Sequence, residues 1–282
     1  MSNIISTLGA GSGIDTQKLV DDLIAIERSS TETSLDSKQT KYESQISGYG
    51  ALSSAMTTVQ DNLKLLVDSD TFNGRNVNVP QTTLLTPTSV DSEALVGEYS
   101  VKVLEIATSH TLSTDDAALY SDADSIVGNG TLTFSFGDWN VGLTAFTADG
   151  SKSSQVITID DSNNTLNGIR DAINSADFGV QAAVINTGSG FQLQLTSPSG
   201  TKNEMEIVVA EGTPTGLSAL AYNVGNLTMD QNQVGLDASL EVNGLSVSRE
   251  SNQINDVIQG LDFSINNKST TEVVTISVTD DK

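Results

Sequence analysis

Side chains able to do chemistry are few in this 282-residue chain, and their spacing argues against an enzyme. There is one histidine, His110, and no cysteine, so no thiolate nucleophile, disulfide framework or His/Cys zinc site can be built. A Ser-His-Asp triad would have to recruit His110, and no serine sits in the spacing of a nucleophile elbow. Within Ser109-His110-Thr111 the histidine follows a strand pattern and reads as an ordinary surface position. The run Gly9-Ala10-Gly11-Ser12-Gly13 offers bare backbone amides, which cradle phosphate at helix N-termini. It has neither the glycine spacing of a dinucleotide fingerprint nor the Gly-Lys-Ser/Thr of a P-loop, and reads as a hinge before a helix. Asp115-Asp116, Asp122-Ala123-Asp124 and Asp160-Asp161 could supply oxygens to calcium. An EF-hand loop needs a third ligand, a glycine at its sixth position and a distal glutamate, and Ile126 and Val127 break that pattern. These acids read as solvated turn residues. The carboxylate pair of a glycosidase carries no signal among 36 acids. Trp139, the only tryptophan, could be a carbohydrate platform but reads as a packing residue at a strand end. No catalytic, cofactor-binding or metal-ligating residue is expected, and no cofactor.

The charge balance narrows the partners. Thirteen basic residues face 36 acidic ones, a formal charge of −23. Residues 1–75 hold 6 basic and 10 acidic residues, net −4, whereas residues 76–282 hold 7 and 26, net −19. Such a surface repels nucleic-acid phosphates and anionic lipid. No apolar run is long enough to span a bilayer, so membrane insertion is not expected. The N-terminus lacks the basic and apolar regions of a cleaved secretory signal; if the protein leaves the cell, another export route carries it.

The elements that would position any site change type near residue 75. Residues 1–75 contain no proline. Asp15 or Thr16 caps a helix in which Leu19, Val20, Leu23, Ile24 and Glu27 follow an i, i+4 rhythm. A second helical stretch carries Leu35, Tyr42, Ile46, Tyr49, Leu52, Met56, Val59, Leu63 and Leu66. From Tyr42 onward the spacing is close to a heptad seam, narrow and flanked by Ser, Thr, Gln, Lys and Asp. It cannot bury its stripe alone and calls for a helix from another segment or subunit. Gly48 and Gly50 weaken it by roughly 1 kcal/mol each.

Beyond Asn76 the pattern is that of strands, alternating apolar with polar and punctuated by Gly, Asn and Asp. Examples are Tyr99-Ser100-Val101-Lys102-Val103, Thr131 to Phe136, Val156 to Ile159, Phe191 to Leu195, Leu240 to Val247 and Val273 to Val278. One helix interrupts them, capped by Asn164 or Thr165, with Leu166, Ile169 and Ile173 inward. The fold class expected is α+β: an N-terminal helical, coiled-coil-like stem and a β-rich head of two subdomains, antiparallel, with one covering helix. The division reads as a terminal segment 1–34, a stem 35–75, a first head subdomain from 76–115 plus 236–282, and a second, inserted one from 116–235.

The order of these segments resembles the flagellar filament-capping (hook-associated protein 2) family. Gly11-Ser12-Gly13-Ile14-Asp15-Thr16 followed by Leu19-Val20, Leu23 and Glu27 looks like that family's opening motif. Gly97, Tyr99, Val101, Val103, Ala107 and Leu112 are similar to its first head strand. The block from Thr165 through Ile173-Asn174, Gly179-Val180 and Gly190-Phe191 to Ser197 resembles its most recognisable stretch. Asn243-Gly244, Arg249, Asn252, Ile254, Asp256-Val257-Ile258 and Gly260 resemble its following strand-turn-helix.

The resemblance implies a non-enzymatic cap at the distal tip of the flagellar filament. It implies a homo-oligomeric ring of unstated number, contact with flagellin and the hook-filament junction proteins, and secretion through flagellar type III export without a cleaved signal. Gly11, Gly13, Ile14, Leu19 and Leu23 would be the N-terminal assembly segment. Tyr42, Ile46, Tyr49, Met56, Val59, Leu63 and Leu66 would be the stem seam, and residues 79–282 the plate. Family members continue past this point with helices that return to the stem, and an export-chaperone site lies there. The chain therefore reads as a truncated member. Two alternatives remain: a tip adhesin for host mucin, with Trp139 or Phe136 as the exposed contact, and a flagellin-like filament subunit.

Overall fold

A computed structural model describes residues 15–67, 74–269 and 271–281. The chain forms two compact units, residues 1–72 and 73–282. The expected N-terminal assembly residues Gly11, Gly13 and Ile14 lie outside the described residues.

The first unit is one α-helix, α1, Thr16–Val67, 52 residues and about 78 Å long at 1.5 Å per residue. Asp15 caps it, its Oδ1 accepting from Lys18 N at 3.0 Å. Sequence reading set a boundary at residue 34 between two helical stretches, and the helix runs through it. The eight residues from Glu27 to Ser34 are all polar, yet none is glycine or proline, so nothing breaks the backbone ladder. Local support includes the i, i+4 pair Lys18–Asp22 at 2.9 Å, of a kind that contributes a few tenths of a kcal/mol. Thr31, Thr33, Ser44, Thr57 and Thr58 bond back to the carbonyl four residues earlier, which adds no stability to a helix.

The second unit is antiparallel throughout its described strands and holds two cores. In the first, a five-stranded sheet runs in the order Arg75–Asn78, Val274–Asp280, Gly97–Glu105, Ala238–Val242, Leu245–Arg249. A three-stranded sheet, Gln253–Ile258, Leu261–Ile265, Leu85–Val90, encloses the same core. The register sets Val101 opposite both Val242 and Val274, and those side chains meet Leu240, Phe263 and Ile276. The resemblance implied a strand-turn-helix over the residues from Asn243 to Gly260; the structure has strands there, Gln253–Ile258 turning through Gly260 into a second strand.

The second core lies between a six-stranded sheet centred on Gly130–Trp139 and Glu204–Glu211 and a four-stranded sheet ordered Asp230–Gln233, Ser109–Ser113, Phe191–Ser199, Gln181–Asn186. Helix α2, Leu166–Ser175, starts where Thr165 Oγ1 accepts from Gly168 N at 3.1 Å. Its Leu166, Ile169 and Ile173 are fully buried among Phe134, Leu193 and Ile207. Asn174 at its end pairs with the backbone of Ala182 in both directions, 2.7 and 2.9 Å, fixing the helix to the sheet.

The chain crosses between the cores twice, at 106–108 and 234–237, where Thr108 and Leu236 exchange backbone bonds of 2.9 and 3.1 Å. The crossing precedes the boundary at 115 drawn from sequence, because Ser109–Ser113 pairs with strands of the second core and Leu112 is buried there.

Candidate functional site

The exposed apolar residues of α1 are the feature that core packing leaves unexplained. Tyr42, Ile46, Tyr49, Leu52, Met56, Val59 and Leu63 are all more than half exposed, Ile46 at 71% and Tyr49 at 72%. At about 100° per residue they form a stripe that drifts some 20° per heptad, the drift a left-handed coiled coil absorbs by supercoiling. Between Tyr49 and Leu63 the stripe forms a shallow groove with Ser53, Thr57 and Gln60 on its flanks. Leu66 continues the spacing on the same helix, but its side chain lies outside the described set.

Nearer the N-terminus Leu19, Leu23, Ile24 and Ile26 are again more than half exposed, and Val20 is 38% exposed. Together they cover an arc of about 160°, much wider than the seam. Ile26 was missed in the sequence, although its spacing of three residues from Leu23 and seven from Leu19 places it on the same face. A stripe this wide is ordinarily covered by more than one neighbour.

The chemistry-bearing residues of the head are absorbed by its structure. His110 is fully buried, not the surface position its neighbours suggested. The signal was the period of two: Leu112 shares its face of the strand 109–113 and is buried with it. The His110 Nδ1 accepts from Met205 N at 2.9 Å, which leaves the proton on Nε2; Gln231 Nε2 is placed 3.0 Å from it, and the opposite amide orientation would bring the Gln231 oxygen there as acceptor. Burial pushes the imidazole down to about 4. Glu204, 2% exposed, accepts from Trp139 N at 2.8 Å and from Gly235 N at 3.2 Å, so its carboxylate clamps the second crossing. Burial raises its pKa, against those two bonds. Burial and the Glu204 charge raise Tyr222 to about 12.

Trp139 and Phe136 are 6% and 8% exposed. Trp139 donates Nε1–H to Met205 O at 3.0 Å and packs on Phe146 and Tyr222. Neither can be the exposed contact that the adhesin reading required. Asp122 and Asp160 spend oxygens on backbone amides two residues on, and Asp161 accepts from Asn129. Among the described residues, Asp115, Asp116 and Asp230 alone gather as an acidic group close enough to share a metal ion.

Comparison with known proteins finds relatives over most of the chain. The family model described as "Flagellar hook-associated protein 2 N-terminus" matches residues 12–110, and that described as "Flagellar hook-associated protein 2 C-terminus" matches residues 235–282. The flagellar hook-associated protein 2 of Escherichia coli K12 is 31% identical over 256 residues, 89% of this chain and 51% of that one. The Salmonella typhimurium relative is 30% identical over 290 residues, 99% of this chain and 57% of its own. The chain thus spans about half the length of the relatives it matches. A crystal structure of the D1-D2-D3 domains of the Escherichia coli flagellar cap protein superposes with a TM-score of 0.72 at 30% identity, covering 83% of this chain and 65% of that one.

Proposed function

The chain belongs to the flagellar hook-associated protein 2 family, and from that premise we propose that it acts as a structural cap at the distal tip of the flagellar filament, promoting flagellin polymerisation and preventing monomer leakage. The observation that carries this reading is the exposed seam on α1. Seven large apolar side chains from Tyr42 to Leu63 stand in solvent on a helix with little local support. Burying each is worth about 1.5–3 kcal/mol, so docking a second helix against the seam offers roughly 10–20 kcal/mol before the cost of association.

The work is steric. Copies of the chain form a ring whose heads make a plate, with the two head cores, joined at the crossings 106–108 and 234–237, as its parts. The N-terminal unit, residues 1–72, carries the anchoring contacts of the ring, one leg per copy. Leu19, Leu23 and the seam residues Tyr42, Ile46, Tyr49, Met56, Val59, Leu63 and Leu66 grip flagellin, the junction proteins or a neighbouring copy. Each incoming flagellin folds in the position that one leg leaves open. Export follows the flagellar type III route, and no helix among the described residues is long and apolar enough to cross a membrane.

Gold-labelled antibody to the head, viewed by electron microscopy, tests the location. Label confined to filament tips is expected, with flagellin leaking into the medium when the gene is removed. Label along the filament would make the protein a filament subunit and overturn the reading.

A further inference from the structure

We propose that the strand Leu245–Arg249 pairs antiparallel with the same strand of a second copy of this chain, through the hydrogen-bonding edge that it leaves open at the end of the five-stranded head sheet. The turn before it fixes which groups face outward. Asn243 and Gly244, at φ 50° and 81°, form the two-residue loop of a type I′ hairpin, so Val242 and Leu245 exchange hydrogen bonds. Asn243 N donates to Ser100 O on the opposite side of its strand at 2.8 Å, the alternation this requires. Stepping on by twos, Val247 and Arg249 also bond inward. The N–H and C=O groups of Ser246 and Ser248 therefore point out of the sheet.

Natural sheets blunt such edges, and the other described edge strands are blunted. Leu85–Val90 holds Pro87, while Gln253–Ile258 and Asp230–Gln233 each carry an aspartate and a shifted register. In Gln181–Asn186 the Asn174 side chain takes both backbone groups of Ala182. In Gln155–Ile159 the Asn163 amide takes Thr158 O at 3.1 Å. The remaining edges are two to four residues long. Leu245–Arg249 has no proline, acid or shifted register. Its one guard is the Arg249 guanidinium, which reaches Ser248 O at 2.7 Å in an exposed bond.

The strand matches itself. A two-fold axis through Val247 sets Ser246 of one copy against Ser248 of the other, so each outward N–H meets an outward C=O and none is left over. Leu245, 72% exposed, and Val247 share the face of buried Leu240 and Val242. They line an apolar cleft of about 300 Å³ with Leu95, Tyr99 and Val257. In the pair, Leu245 lies opposite Arg249 of the other copy, whose aliphatic stem covers it. Charge selects the same strand. Residues 76–282 are net −19, so copies repel over most of the head surface, and this acid-free strand is where they can meet. A two-fold contact closes on itself and cannot run round a larger ring; the pair is a form of the free chain and does not rest on the cap reading.

Cross-linking of the full 282-residue chain tests this, since it holds no cysteine of its own. Across the axis the two Val247 Cα atoms would stand about 4.5 Å apart in a non-hydrogen-bonded pair, within the span a disulfide bridges. With oxidised glutathione as oxidant, Val247→Cys should give a covalent dimer about tenfold or more faster than Val141→Cys, although Val141 is fully exposed and Val247 is half-buried. The ranking should hold when Ile46→Asp, Met56→Asp and Leu63→Asp remove association through α1. In sedimentation of the cysteine-free chain, Ser246→Pro, which removes only an outward N–H, should weaken pairing by about tenfold or more. Val247→Asp should weaken it too, by setting like charges face to face. Far-ultraviolet circular dichroism verifies that each variant is folded. Equal cross-linking of the two cysteines, cross-linking lost with the seam substitutions, or pairing indifferent to both Ser246→Pro and Val247→Asp would overturn the proposal. So would a chain monomeric at every concentration, which would leave the edge to an extended segment of another protein.

Discussion

Helix α1 and the head spend their apolar residues in opposite ways. In the head, Phe134, Leu193, Val101 and Phe263 are 0–1% exposed within two cores. On α1, side chains of the same kind are more than half exposed over eleven turns or more of helix. The head folds on its own account, since alternating strands close two cores and α2 covers one of them. The helix has only propensity and a few exposed ion pairs, and helices draw most of their stability from packing an amphipathic face. The lesson is that apolar pattern in the head codes for buried cores, whereas on α1 it leaves an exposed stripe, the feature on which the proposed association rests.

The sharpest way to break this contrast is to delete the same apolar bulk in both places. Phe134→Ala and Phe263→Ala should each destabilise the head by about 3–5 kcal/mol, followed in urea by Trp139 fluorescence. Ile46→Ala in the same chain should move that transition by less than about 0.5 kcal/mol. Comparable losses from Ile46→Ala would mean the seam supports the fold after all.

A second test reads the polar clamp beside the crossings. Burial holds His110 neutral down to about 4 in the folded chain, against about 6.5 unfolded. Between those values the unfolded chain binds the extra proton, so head stability is complete above about 6.5 and lost as pH falls towards 4, by about 3 kcal/mol. Glu204 opposes part of this: burial raises its pKa, so the folded chain takes up its proton first and acid relieves that strain. Gln231 is uncharged, and Tyr222, near 12, does not titrate in this window. Urea midpoints at pH 7 and 4.5 should show the drop in the natural chain. His110→Asn, able to accept from Met205 N, should show a smaller one; an unchanged pH dependence would contradict the assignment.

The smallest effect sharpens the helix side. A Cβ at Gly48 or Gly50 meets nothing within 4 Å, so Gly48→Ala and Gly50→Ala should each stabilise α1 by up to about 1 kcal/mol. Circular dichroism at 222 nm on heating should report it, with the Trp139 transition unmoved.

How much of this was legible in the sequence depended on whether the signal was local. The seam, the Thr165 cap and the strands around Val101 and Val274 were readable because periodicity and capping are written in neighbouring residues. The strand Leu85–Val90 was not, since Pro87 argues against a strand; it survives because Leu85–Val90 is the edge of its sheet. The strand Glu204–Glu211 was obscured by its glutamates, one of which is buried as a clamp. His110 looked like a surface residue because its partners, Met205 and Gln231, lie about a hundred residues away in sequence. Asp230 joins Asp115 and Asp116 only through strand pairing, so a three-acid group could not be seen from spacing.

The most direct test of the central claim, that the seam recognises a partner and does not hold the fold, is a single triple variant. Ile46→Asp, Met56→Asp and Leu63→Asp together should leave the urea transition of the head, read by Trp139 fluorescence, within about 0.5 kcal/mol of the natural chain. The same substitutions in cells should abolish label at filament tips and shorten filaments. Normal tips and full-length filaments, or a head that loses stability with the seam, would contradict the account.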